Sequence, residues 1–202
     1  MKEDYFDELL NIKTGKDQAG MPRSIHYNRY EPTPYGALQE LFQFYQLKKS
    51  DRVVDFGCGK GRLNFFIHYL FGSTVIGIEM NEQFYKEAEE NRENFLKKKK
   101  GRRSKIEFQC CLAEEYEIHP SDNVFYFFNP FSVQIFMKVI NNILYSLESS
   151  PREIEIVLYY SSNEYIHYLD HHPLFELRKE INLSGVFEHN VYERFLVYGV
   201  VY

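Results

Sequence analysis

The stretch Val53-Val54-Asp55-Phe56-Gly57-Cys58-Gly59-Lys60-Gly61 runs from an apolar segment into three glycines spaced G-x-G-x-G. Arg52 to Phe56 reads as a buried strand. Arg62 to Leu70 reads as a helix with Leu63, Phe66, Ile67 and Leu70 on one face. Glycines between a strand and a helix let the backbone turn tightly and approach a ligand with no Cβ in the way. The helix that follows offers free N–H groups and a partial positive charge. Eighteen residues after Gly61, Glu79 closes the next strand-like segment, which begins at Thr74. A carboxylate there can accept hydrogen bonds from both hydroxyls of a ribose.

Outward from this unit the alternation continues. Upstream, Thr33 reads as an N-cap and Pro34 as a first helical residue, with Leu38, Leu41, Phe42 and Tyr45 forming a buried stripe. A short helix over Tyr5 to Leu10 is expected before that. Downstream, Asn81 caps a helix reaching about Lys98. Strands are expected at Ile106 to Cys111, Val124 to Phe128 and Ile154 to Tyr160. Ser132 starts a long helix whose Val133, Phe136, Met137, Ile140, Leu144 and Leu147 share one side, and a short helix is read near Glu164 to Leu169. Strands alternating with helices imply right-handed crossovers and a parallel sheet covered on both faces. Two final strand-like runs, Phe175 to Leu183 and Tyr192 to Tyr202, have only a short link between them. A parallel pair needs a longer crossover, so these two pair antiparallel or not at all. Such a sheet binds its ligand beyond the carboxyl ends of the strands, at the switch point.

The glycine unit alone suits either NAD or S-adenosylmethionine (SAM). Three details favour SAM. The dinucleotide fingerprint is G-x-G-x-x-G, and here Arg62 stands where its third glycine would be. Asp55 precedes the first glycine by two residues, where an acid repels a pyrophosphate but suits the cationic amino acid end of SAM. The closing hairpin does not continue a dinucleotide-type parallel sheet. On these residues the sequence resembles the class I SAM-dependent methyltransferases over roughly Thr33 to the C-terminus. The resemblance implies a three-layer α/β, Rossmann-like fold with a mostly parallel seven-stranded sheet and a C-terminal antiparallel hairpin. It implies a domain over 33–202 preceded by a lid or extension over 1–32. It also implies that Asp55, Gly57, Cys58, Gly59 and Gly61 wrap the methionine part of SAM, that Glu79 holds the ribose, and that Met80 lies against the adenine. The family's usual acid for the adenine amino group falls on Leu112, which leaves Ala113 and Glu114 as the nearest substitutes.

Phe127-Phe128-Asn129-Pro130-Phe131 looks like the N-P-P-F type motif of amino-group methyltransferases with one proline missing. The resemblance implies that Asn129, also a cofactor contact, and Pro130 accept hydrogen bonds from a target amine and that Phe131 stacks on its planar group. The same residues also read as a strand stop. Tyr30, Thr33 and Tyr35 stand before the first long helix as lid or substrate residues, or as an ordinary helix start.

Other features carry less. The run 97–103 is basic, but it follows a Glu-rich helix start and leads into the third strand, away from the ligand end, so a solvated turn is expected. Glu164, His167 and His171 fall at helical spacing but lack any further metal signature, and no metal is expected. Cys58, Cys110 and Cys111 make neither a disulfide framework nor a zinc pattern. A net charge of −5 argues against a broad nucleic-acid footprint. The apolar runs are too short for a membrane span and the start is acidic, so a cytoplasmic protein is expected. The methyl acceptor stays open among small molecule, protein and nucleic acid. A nucleotide-dependent oxidoreductase and a non-catalytic module on the same fold are the alternatives.

Overall fold

The computed structural model describes residues 3–15, 30–98, 105–185 and 189–201. Its order is α1 (Asp4–Leu10), α2 (Tyr35–Phe44), β1 (Arg52–Phe56), α3 (Arg62–Phe71), β2 (Thr74–Glu79), α4 (Glu82–Lys98), β3 (Ile106–Cys110), β4 (Val124–Phe127), α5 (Val133–Ser149), β5 (Glu155–Tyr159), α6 (Asn163–Asp170), β6 (Phe175–Asn182) and β7 (Arg194–Val200). One 3-10 turn, Ala113–Glu115, follows β3.

The seven strands form one sheet in the order β3-β2-β1-β4-β5-β7-β6. Strands β1 to β5 pair parallel. Strand β7 runs antiparallel between β5 and β6, the hairpin expected from the short link. The edge strand β6 carries Glu176, Arg178, Lys179 and Glu180, charges that discourage pairing with another chain.

Strand residues alternate between two apolar layers. Val54, Phe56, Ile76, Ile78, Phe125, Phe127, Ile156 and Leu158 pack on α5 and α6. Val53, Val75, Val124, Tyr126, Val157 and Tyr159 face α1, α2 and α3. Asp55 lies on the second face, between Val53 and the turn.

Local signals mostly held, with informative differences. Asn81 caps α4 by accepting from the Gln83 and Phe84 N–H groups (2.9 and 3.1 Å). Thr33 does not cap α2. Its hydroxyl is hydrogen-bonded to the Tyr126 hydroxyl at 2.9 Å, and Pro34 is the residue that precedes the helix. On α5 the buried stripe is Ile135, Phe136, Val139, Ile140, Ile143 and Leu147, while Met137 is 39% exposed. On α3 Leu70 is exposed, while Arg62 and Asn64 are buried. Of the basic run, only Lys97 and Lys98 fall among the described residues, and Lys98 donates to the Glu8 carbonyl at 3.1 Å. Residues 1–2 and 16–29 of the expected lid also lie outside them.

Candidate functional site

Strand order reverses at β1, whose neighbours β2 and β4 lead to opposite halves of the sheet. The crevice at the carboxyl end of β1 is therefore where a ligand belongs. The glycine turn occupies it. The Gly57 and Cys58 N–H groups donate to the Ile78 carbonyl (2.9 and 3.1 Å), pinning the turn to β2. Gly57 and Gly59 have φ of 78° and 53°. A Cβ on Gly57 would lie 2.7 Å from Pro130 Cβ, and one on Gly59 would lie 2.0 Å from the Tyr30 ring. Here glycine is required by neighbouring protein atoms as well as by conformation.

Two carboxylates are buried beside this turn. Glu79 accepts from the Gly59 N–H at Oε2 (2.9 Å) and from the Asn81 N–H at Oε1 (2.8 Å). Burial pushes its carboxyl up, and those backbone donors partly offset the push. Asp55 is pushed well above the usual carboxylate range, first by burial and then by the charge of Glu79. The Asn64 amide from α3 fixes it, donating to Asp55 Oδ2 (2.9 Å) while accepting from the Gly77 N–H (3.2 Å). Two like charges out of water need a cation to be comfortable. This donor set fits a ligand that brings positive charge to Asp55 and hydroxyl donors to Glu79. It does not fit a pyrophosphate.

The other expected residues lie around the same end of the sheet. Cys58 is buried and its thiol is pushed up by burial and by both carboxylates, which makes it a poor nucleophile. Met80 is 40% exposed at the end of β2. Ala113 is buried in the 3-10 turn. The Glu114 carboxylate points to Lys138 (3.7 Å) and its carbonyl accepts from Asn142 (2.9 Å). Asn129 is half-exposed in a left-handed conformation (φ 41°), beside Pro130. Phe131 is 3% exposed. Its ring packs edge-on against Phe127, and its carbonyl accepts from the Tyr165 hydroxyl at 2.5 Å. The half-exposed ring next to Asn129 is Phe128.

The segment before α2 is tied down by a polar cluster that sequence reasoning missed. Tyr35 is 2% exposed, and its hydroxyl donates to Asp7 Oδ1 at 2.6 Å. Asp7 also accepts from Thr14 through its N–H (2.6 Å) and hydroxyl (2.8 Å). Arg62 lies over the Tyr35 ring at 4.5 Å, donates to Thr14 Oγ1 (2.8 Å) and Glu3 Oε2 (2.5 Å), and reaches the Thr33 carbonyl (3.4 Å). Asn91 of α4 bridges the Lys13 backbone and the Lys60 carbonyl. Tyr30 lies against Phe84 and Lys60, and its hydroxyl donates to the Thr14 carbonyl at 2.8 Å. The only hint in the sequence was Arg62 in a glycine's place.

Residues 35–128, from α2 to the end of β4, match the methyltransferase domain family. The matched stretch, which includes the glycine turn, Asp55 and Glu79, is a methyltransferase domain. A 58-residue stretch of the chain is 41% identical to ribosomal protein L11 methyltransferase from Thermotoga neapolitana, covering 29% of this chain and 22% of that protein. Its fold is similar to that of an RNA methyltransferase from Salinibacter ruber solved with S-adenosylhomocysteine (TM-score 0.54, 17% identity, 84% of this chain and 92% of that one). It is also similar to phosphoethanolamine N-methyltransferase 1 from Haemonchus contortus (TM-score 0.59, 13% identity, 82% and 42% of the two chains). What these structures share with the chain is the fold. SAM is the cofactor of this family. No helix among the described residues is long and apolar enough to cross a membrane. Nor do those residues include a group of three or more His, Cys, Asp or Glu side chains able to hold a metal ion.

Proposed function

We propose that this methyltransferase transfers the methyl group of SAM to a nitrogen acceptor. The observation that carries the donor half is the pair of buried carboxylates, Asp55 and Glu79, at the switch-point turn. When bound, SAM supplies a methyl group activated on a sulfonium. Asp55, held by Asn64, takes the ammonium of the methionine end. Glu79, already aligned by two N–H donors, keeps lone pairs for the ribose hydroxyls. Gly57, Cys58, Gly59 and Gly61 bring backbone close to the methionine moiety. Met80 covers the adenine, with Ala113 and Glu114 at its far edge. Tyr30 and Thr33 wall the methionine end, while Tyr35 holds that wall in place through Asp7.

Nitrogen is the preferred acceptor because Asn129 and Pro130, each with an acceptor oxygen, follow β4 at the sheet end, with Pro130 touching Gly57. Those oxygens would take the hydrogens of an amine and leave its lone pair toward the methyl. Phe128 rather than Phe131 supplies the nearby open ring. With orientation and water exclusion as the protein's main contribution, no dedicated base is assigned. Three free cysteines suit the reducing setting of a cytoplasmic protein. Calorimetry with SAM and S-adenosylhomocysteine tests the donor half. Absence of heat for either at millimolar concentration would overturn it.

A further inference from the structure

The last register pair between β4 and β5 is Phe127 with Leu158. Two residues further along each strand stand Asn129 and Tyr160, and both are left-handed, with φ of 41° and 47°. Among the described residues the other non-glycine with positive φ is Asn11, which ends α1. Asparagine tolerates this region, but a tyrosine there is strained. Such strain persists where surrounding structure imposes it, and it clusters at ligand sites. The side chain of Asn190 donates to the Tyr160 hydroxyl (3.0 Å), and the Tyr160 ring lies 5.7 Å from Tyr192 and 6.2 Å from Phe128. Three half-exposed rings from three separate parts of the chain therefore meet beyond the strand ends.

The charge around them is negative. Glu193 accepts from the Tyr159 hydroxyl at 2.7 Å, and Tyr159 lies 4.7 Å from Phe128. Glu31 adds a second carboxylate near Tyr159. Arg194, which follows Glu193, is paired with Glu180 at 2.8 Å. Ring faces and carboxylates together attract cations and repel phosphates.

We propose that Phe128, Tyr160 and Tyr192 form the wall of the acceptor site and select an acceptor carrying a cationic ammonium or guanidinium group. This rests on the methyl-transfer reading but is tested apart from it. Choline and its neutral isostere 3,3-dimethylbutan-1-ol are titrated into the protein by calorimetry, with and without S-adenosylhomocysteine. Choline is expected to bind about tenfold more tightly than the isostere. Tyr160→Gly, which relieves the left-handed strain, and Tyr192→Leu are each expected to abolish that preference while leaving affinity for S-adenosylhomocysteine unchanged. A trimethyllysine peptide run in parallel separates the sources: tighter binding than choline assigns a protein side chain, weaker binding a free amine. Equal affinity for choline and its isostere, retention of the preference in both variants, or tighter binding of a short RNA than of either cation would overturn the proposal. Failure to bind S-adenosylhomocysteine with the choline preference intact would instead count against the methyl-transfer reading alone.

Discussion

Asp55→Asn is expected to weaken the cofactor and strengthen the fold at the same time. In the ligand-free protein the Asp55 carboxylate is buried, beside the charge of Glu79. Each pKa unit by which folding raises an acid costs about 1.4 kcal/mol of stability at a pH where the acid is ionised. The amide removes that cost and keeps the hydrogen bond from Asn64, because its oxygen can occupy the Oδ2 position. In a chain of this size each kcal/mol recovered raises the melting temperature by about 2–4 °C. The ligand experiences the opposite. A hydrogen bond to a charged group contributes about 1.5–3 kcal/mol, so its loss weakens SAM roughly 10- to 100-fold. The assay pairs thermal melts of the ligand-free protein with calorimetric titration of SAM into wild type and variant. A melting temperature that falls together with unchanged SAM affinity would refute the reasoning, since Asp55 would then be a structural acid with its own partner.

The same two carboxylates set a pH dependence. Both are raised by folding, so the native state binds more protons than the unfolded chain between the ordinary and the raised values. The stability they cost is recovered as pH falls through the raised values. The melting-temperature gap between Asp55→Asn and wild type should therefore shrink as pH falls through the raised carboxylate values towards the ordinary ones, and SAM affinity should decline over the same interval. Gly59→Ala places a methyl group on the Tyr30 ring at a φ of 53°, and should lower stability by about 1 kcal/mol or more in a denaturant titration. Replacing Tyr30 as well should recover the steric part and leave the backbone part. Arg62→Leu removes the shared partner of Glu3, Thr14 and the Thr33 carbonyl, and should cost about 3 kcal/mol. Protease cleavage within the first 30 residues, followed by mass spectrometry, should rise in that variant and stay unchanged elsewhere.

Elements whose signals are local were legible in the sequence. Asn81 met its own helix two and three residues on, and the short link after β6 allowed only an antiparallel return. Faces were less legible. Helix α5 carries apolar residues at 133, 135, 136, 137, 139, 140, 143, 144 and 147, so several stripes satisfy the helical period. The choice among them is made by what covers α5. It packs on β1, β4 and β5 on one side and α6 on another, a contact exemplified by Phe136 stacked on Tyr165 at 3.8 Å. Thr33 shows the same competition. Its hydroxyl could have capped α2, but the buried Tyr126 hydroxyl of β4 had greater need of a partner.

The two halves of the site differ in legibility for a related reason. Residues 55–64 and 79–81 are short, contiguous pieces, and the donor half is made by joining two neighbouring strand ends. Spacing alone can report that. The acceptor side draws Phe128, Tyr160 and Tyr192 from three loops, and it depends on left-handed turns at Asn129 and Tyr160. Asparagine, which tolerates that region, hints at the first. Nothing in Tyr159-Tyr160-Ser161 hints at the second, because tyrosine has no intrinsic preference for that region. Phe131 is the converse case. Its motif position suggested a ring facing the acceptor, but the Tyr165 hydroxyl, 34 residues away, holds the Phe131 carbonyl while the ring sits in the core against Phe127. A fold family can keep its donor half as a readable motif. Its acceptor half is set by tertiary contacts between distant residues, so two chains with the same glycine turn can present different surfaces to the methyl group.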